Sequence, residues 1–331
     1  MSGARANWAA PLNNYKIDNA KMAEIRAQYE KIQEDCTRSP GGFEHHPDRR
    51  GFWEVGQDER RKLWDRLYDE PGFGIWLQNF REIFTDEEAN AELSEYIADR
   101  IRQRVKDPIT AEKLIPKDHG FGTRRVPQET FYYEVYNQPH VELISMLDDP
   151  IQKITKEGIK TRSSEYQFDV IIYATGFDAV TGAFNRIDIR GENDIPLKSK
   201  WTKGPRTFLG MMVDDFPNMF MILGPHAALG NNPRSIEHNV EWIGDFIKYM
   251  RDNKLTRAES PLSAVDEWHE LVSGKAESLL SNDVDSWMTG INLNVEGKQT
   301  RTVVRYTGTA PEYRARCDDV ATNNFKELHL F

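Results

Sequence analysis

The chain has 331 residues, 39% of them hydrophobic and 11% aromatic, which is enough apolar material for a sizeable core and excludes a disordered chain. A formal net charge of -10 without any basic run excludes a general nucleic-acid binder, and no apolar run approaches the roughly 18 to 20 residues that span a bilayer. Two cysteines, Cys36 and Cys317, lack metal-ligand spacing, so a reducing, cytoplasmic setting is expected, with no nucleic acid and no membrane span.

The first third predicts helices. Met22, Ile25, Tyr29 and Ile32 recur at helical spacing behind Asp18, a capping residue type. A loop rich in Pro, Gly and His covers 38–56. Short helices are expected over 60–68 and 75–84, divided by Pro71 and Gly72. A longer helix capped at Thr85 or Asp86 sets Ala89, Leu93, Ile97, Ile101 and Val105 four apart, until Pro108 and Pro116 close the helical region. The period then changes. Residues 140–146 and 151–155 alternate, with turns at Gly158 and at Ser163 and Ser164, which predicts a small meander.

The stretch "DVIIYATGFDAVTG" (169–182) carries Val170, Ile171, Ile172 and Tyr173, a run suited to a parallel strand covered on both faces. Thr175 and Gly176 end that strand over 170–175, where small residues let the backbone approach a ligand. A second apolar run at 219–223 precedes Gly224 and Pro225. A helix is expected from Ser235, with Ile236, Val240, Ile243, Ile247 and Tyr249 turned inward. Another helix is predicted at 262–280, a late strand at 302–306, and a last helical stretch from Tyr313. Strands alternating with helices favour an α/β fold behind a mostly helical block.

Three places could carry chemistry. After Gly224 and Pro225, "HAALGNNPR" leads to a helix whose N-terminal amides could meet an anionic or polar cofactor edge; an ordinary strand-loop-helix connection has the same spacing. "GFGTRRVPQETFYYE" (120–134) puts Arg124 and Arg125 on a Gly-flanked loop. Adjacent arginines usually form a solvated patch, and the functional alternative is a fixed guanidinium that stabilises an anion. Trp287 could stack on a flat ring or simply fill a core. The eight histidines lack helical ligand spacing, so no metal site is expected. One absence is informative: 22 glycines supply no G-x-G-x-x-G, the turn that normally begins a dinucleotide-binding domain.

The blocks "GTRRVPQETFYYEVYN", "ATGFDAVTGAFNRIDIRG", "GPRTFLG", "FPNMFMILGP", "SIEHNVEWI" and residues 287–298 together resemble the C-terminal part of Baeyer–Villiger monooxygenases. The resemblance runs from about Asn7 to the end; related flavin-containing monooxygenases share the ATG segment but not the whole series. It implies an α/β flavoprotein with an incomplete pair of Rossmann-like domains, for FAD and NADPH, and a helical insertion. Residues 1–120 would be the helical insertion of the NADPH domain, 121–177 its C-terminal segment, and 178–331 the C-terminal half of the FAD domain.

The implied reaction inserts one atom of O2 beside a ketone carbonyl, giving an ester or lactone through a flavin C4a-peroxide. Arg125 matches the catalytic arginine that keeps that species anionic. Arg124 stands where Lys is common and is associated with the NADPH phosphate, and Trp287 matches a residue lying against NADP. Gly224, Pro225 and Asn232 match the flavin-facing strand end and loop, Asn232 through its backbone. Thr175, Gly176 and Asp178 match the interdomain crossing, and the 226–234 loop would tune ketone selectivity. Both nucleotide turns precede this region in the family, so the chain is expected to be a fragment, inactive alone. The alternatives are a split enzyme that takes its N-terminal half in trans, or a non-catalytic remnant. A weaker one is an NADP-binding module without flavin.

Overall fold

The computed structural model describes residues 6–331, which group into two compact units. The first contains the chain up to Asn14, Arg50–Trp76 and Phe80–Phe177; the second contains Tyr15–Arg49, Leu77–Asn79 and Asp178–Phe331. The chain therefore leaves and rejoins each unit, and the helical residues 15–49 group with the second.

In the first unit the helices Gln57–Asp69, Glu87–Arg104 and Pro108–Leu114 surround an aromatic core. Of the two candidate caps, Asp86 does the work: its carboxylate accepts from the amides of Glu88 and Ala89 at 2.9 and 3.0 Å. The expected stripe then buries Leu93, Ile97 and Ile101 against Trp64, with Phe52 edge-on to Phe80 nearby at 5.7 Å. A two-residue parallel pairing joins Ala10–Pro11 to Gln128–Glu129. The meander forms as Ile151–Ile154, Gly158–Thr161 and Glu165–Gln167, antiparallel in sequence order. Residues 140–146 form turn and loop instead of a strand.

The second unit packs the helices Asn232–Asp252, Leu262–Ala276 and Ala310–Thr322 around Trp242, Phe246, Trp268 and Tyr313. A hairpin of Asn19–Ala27 and Tyr29–Arg38 belongs to it; Asp18 caps the first helix by accepting from the Lys21 amide at 2.8 Å. Arg234 donates to the Thr37 hydroxyl at 2.7 Å, and Arg314 donates to the Thr37 carbonyl. Cys36 and Cys317 are both free and buried, and burial pushes the Cys317 thiol up to about 12.

Several expectations are corrected. Residues 170–175 and 219–223 form no strand. A strand needs a neighbouring strand along its length, and among the described residues neither run has one; in 219–223 the Met221 amide donates to the Met211 carbonyl at 2.9 Å and the Leu223 amide to Asn239 Oδ1 at 3.1 Å. Val170 and Ile172 are consequently 74% and 85% exposed. At 302–306 only a single bridge forms, between Ala228 and Tyr306. The helix expected from Ser235 begins at Asn232, because Pro233 is accepted in a first turn where its missing N–H costs nothing. Its buried face is Asn239, Trp242, Phe246 and Met250, while Ile236, Val240 and Ile247 are exposed. This helix has two apolar stripes, and periodicity alone does not choose between them. The helix predicted to 280 stops at Ala276, followed by a 3-10 turn Leu280–Asp283.

Candidate functional site

In the first unit the arginine loop is pinned from both sides. The Trp8 indole donates to the His119 carbonyl at 2.9 Å, and the Asn90 amide donates to the Phe121 carbonyl at 2.9 Å. The His119 ring sits between Asp118 Oδ1 at 2.9 Å and Asn7 Oδ1 at 3.0 Å; Asn7 Nδ2 in turn donates to the Arg125 carbonyl at 3.0 Å. The backbone is held, so the side chains start from fixed positions.

The two arginines then diverge. Arg124 donates to Asp118 Oδ2 at 3.1 Å, and its buried Nε has no acceptor. Arg125 meets no carboxylate among the described residues. Its guanidinium lies 5.2 Å from the Phe73 ring centroid and 5.0 Å from Trp76, with one donor spent on the Val126 carbonyl at 2.6 Å. Partial burial lowers its pKa, but a guanidinium stays charged at any working pH. Arg125 thus offers an unspent, rigid positive charge on an aromatic bed. Sequence reasoning found the arginine and missed the bed, which comes from about fifty residues upstream.

The second unit holds the remaining positions apart from Thr175 and Gly176, which lie exposed at the end of the first. Asp178 pairs with Lys298. Gly224 is buried where a Cβ would come within 2.4 Å of the Gly210 carbonyl oxygen, so two backbones meet at a distance that requires glycine. The Pro225 carbonyl accepts from the Thr207 hydroxyl at 2.9 Å. Asn232 is exposed in the first turn of its helix. Asn231 gives its side chain to the Gly42 carbonyl at 3.0 Å and makes no cap, so the first-turn amides stay open. Trp287 opens a short turn, Trp287–Thr289, capped by Ser286; its ring is 38% exposed and stacks on no aromatic among the described residues.

His226 is a residue that the spacing argument passed over. It is completely buried, with Nε2 2.9 Å from the Val303 carbonyl, Nδ1 3.3 Å from the Thr207 hydroxyl, and its amide donating to the Val304 carbonyl at 3.2 Å. Burial pushes its pKa down to about 4. The ring ties the segment after Gly224 to the segment after Trp287. The only signal in the sequence was its place directly behind Gly224 and Pro225.

Glu192, Asp215 and Glu259 bring carboxylate oxygens within 4.8 Å of one another. Arg257 pairs with Glu192 and Glu259, and Lys200 with Asp215, so internal cations already balance this group.

No family model matches the chain. Among individual proteins, it is 42% identical over 326 residues to the 2-oxo-Δ3-4,5,5-trimethylcyclopentenylacetyl-CoA monooxygenase of Pseudomonas putida, covering 98% of this chain and 60% of that enzyme. It is 33% identical over 325 residues to the cyclohexanone 1,2-monooxygenase of an Acinetobacter species, covering 97% and 59%. Its fold superposes on the crystal structure of OTEMO complexed with FAD and NADP with a TM-score of 0.93 at 41% identity, covering 99% of this chain and 61% of that one. Cyclohexanone monooxygenase from Rhodococcus sp. Phi1 bound to NADP+ gives 0.93 at 33% identity, covering 98% and 61%. The chain spans about three fifths of the length of each.

Proposed function

The chain corresponds in sequence and fold to the C-terminal part of Baeyer–Villiger monooxygenases, and from that premise we propose that it serves NADPH- and FAD-dependent insertion of one oxygen atom of O2 beside a ketone carbonyl. The observation that carries this reading is Arg125, a held guanidinium with no carboxylate partner among the described residues, on a loop fixed by Asn7 and Trp8. The residues present fit the two cofactors. Arg124 keeps a buried donor without an acceptor among the described residues, and the amides at Asn232 are open to a polar edge. Bound FAD and NADPH would supply the hydride transfer and the oxygen activation.

The role of Arg125 is electrostatic. It stabilises negative charge developing beside the bound flavin, and it does so without surrendering a proton, which an ammonium or imidazolium could give up. Removing such a preorganised charge costs on the order of hundreds-fold in rate. Arg125→Ala in the flavin-loaded enzyme should lose ketone oxygenation to that extent, and Arg125→Lys should not restore it; an undiminished rate in either would overturn the assignment. Trp287→Ala should raise the KM for NADPH more than it lowers flavin content, whereas equal losses would mean the ring only packs.

A second reading, an enzyme assembled from two chains, is favoured by the exposed Val170, Ile172 and Tyr173, which are apolar and extended with no strand partner among the described residues. The sequence also has no G-x-G-x-x-G to hold a pyrophosphate. Titrating FAD into the purified 331-residue chain, with and without the N-terminal two fifths of a relative added in trans, separates the cases. Flavin binding and ketone turnover only with the added half would support two chains; turnover by this chain alone would sink that reading; neither would favour a non-catalytic remnant.

A further inference from the structure

A cavity of about 490 Å³ in the second unit has no carboxylate among its lining residues: Lys200, Lys203 and Arg206 bring positive charge, and Ser199, Thr202, Thr302 and the His269 imidazole bring neutral polar groups. The cations are not equivalent. Lys200 is spent, with its ammonium 2.7 Å from both Asp214 and Asp215. Arg206 pairs with Asp266 through one terminal nitrogen, yet its buried Nε has no acceptor among the described residues. The buried Nδ1 of His269 also has no partner, and the exposed Lys203 pairs with no carboxylate among the described residues. Buried donors without acceptors are rare and call for an explanation such as a bound ion.

The backbone builds the wall that closes this space. Gly204 has φ +113, and a Cβ there would come within 3.1 Å of the Thr302 methyl group, so only glycine lets the 202–206 loop lie on Thr302. A smaller pocket sharing Thr302 and Val303 holds Arg305, a partly buried arginine that donates to the Ser281 hydroxyl at 3.2 Å. It pairs with no carboxylate among the described residues, which raises the local positive potential.

We propose that this cavity is a binding site for the phosphoryl group of a small-molecule ligand, held by Lys203 and Arg206 with His269 beside them. A phosphate monoester or diphosphate carries acceptors enough for the Arg206 and His269 donors, and its charge complements Lys203 and Arg206. An uncharged ketone could accept from one of those donors but would leave the charges of Lys203 and Arg206 unbalanced. The inference does not depend on the monooxygenase reading.

The test is calorimetric titration of the full chain with inorganic pyrophosphate, adenosine 2′,5′-bisphosphate and adenosine 3′,5′-bisphosphate, with adenosine as the uncharged control. The two bisphosphates distinguish an NADP-type handle from a coenzyme-A-type handle, and pyrophosphate reports the shared chemistry. Lys203→Ala and Arg206→Gln should each weaken binding by about tenfold or more, and Lys156→Ala, an exposed lysine of the other unit, should leave it unchanged. Circular dichroism confirms that Lys203→Ala, a change on an exposed loop, keeps its fold. Phosphorylated probes that bind no more tightly than adenosine, or that bind Lys203→Ala as well as the unaltered chain, would overturn the proposal.

Discussion

The two units differ in the polar groups on which they lean most. The first buries charge and pays with partners: Arg104 donates to Glu129 at 2.7 Å, to Glu134 at 2.6 Å and to the Tyr68 hydroxyl at 3.1 Å, over the Tyr133 ring. Arg60 likewise pairs with Glu92 at 2.9 Å. The second unit has ion pairs of its own, such as Lys200 with Asp214, and adds neutral imidazole and phenol rings. His226, His238 and His269 all have pKa values lowered first by burial, and Tyr313 bonds to the Leu209 carbonyl and Asn239. Paired charges hold until a carboxylate is protonated; neutral imidazoles hold only until they take up a proton. The same chain therefore carries two acid sensitivities at different pH.

The sharpest way to break the contrast is to remove one partner from the charged unit. Arg104→Ala leaves the buried Glu129 carboxylate uncompensated, and about 3–5 kcal/mol of stability should be lost. Urea unfolding followed by the fluorescence of the tryptophans should show a transition shifted to lower urea, and a variant within 1 kcal/mol (roughly the worth of an exposed pair) would mean that the network is solvated.

The neutral unit answers to pH. The folded pKa of His226, about 4, lies below its unfolded value near 6.5, so its contribution is fully present above pH 6.5 and is lost as pH falls toward 4. That contribution amounts to about 3 kcal/mol. Thermal midpoints between pH 7 and pH 4 should fall for the second unit first, and His226→Asn should flatten the dependence while His238 and His269 keep a remainder. Glu134, held below the usual carboxylate range by Arg104, gives stability that is present above pH 4.5 and lost only beneath it. An acid transition that begins in the first unit would contradict the comparison.

The smallest effect sharpens the picture at a helix end. Asp86→Ala removes the cap of Glu87–Arg104 and should cost about 1 kcal/mol, with little change in the second unit. Hydrogen exchange at Glu88 and Ala89 would report it directly.

What the sequence made legible follows from distance along the chain. The caps at Asp18 and Asp86 and the meander at 151–167 are local, and they formed where the residue types placed them. The strands at 170–175 and 219–223 were read from composition, but a strand is defined by its neighbour, and composition says nothing about whether one is present. Arg125 was found by motif, whereas its bed of Phe73 and Trp76 required the fold. The latch at His226 and the unsatisfied donors of Arg206 and His269 were invisible, because burial is a property of the whole chain.

The hairpin of Asn19–Ala27 and Tyr29–Arg38 carries a consequence for synthesis. Its anchor at Thr37 is Arg314, 277 residues later in the chain, and Arg234, 197 residues later. Translation adds about 5–20 residues per second, so the hairpin emerges roughly fifteen seconds to a minute before its last partner exists. During that interval Cys36 and the apolar stripe of the hairpin are in contact with solvent and chaperones. Synonymous changes that slow elongation between codons 40 and 310 should therefore lengthen the exposure of Cys36 to a thiol reagent on the nascent chain.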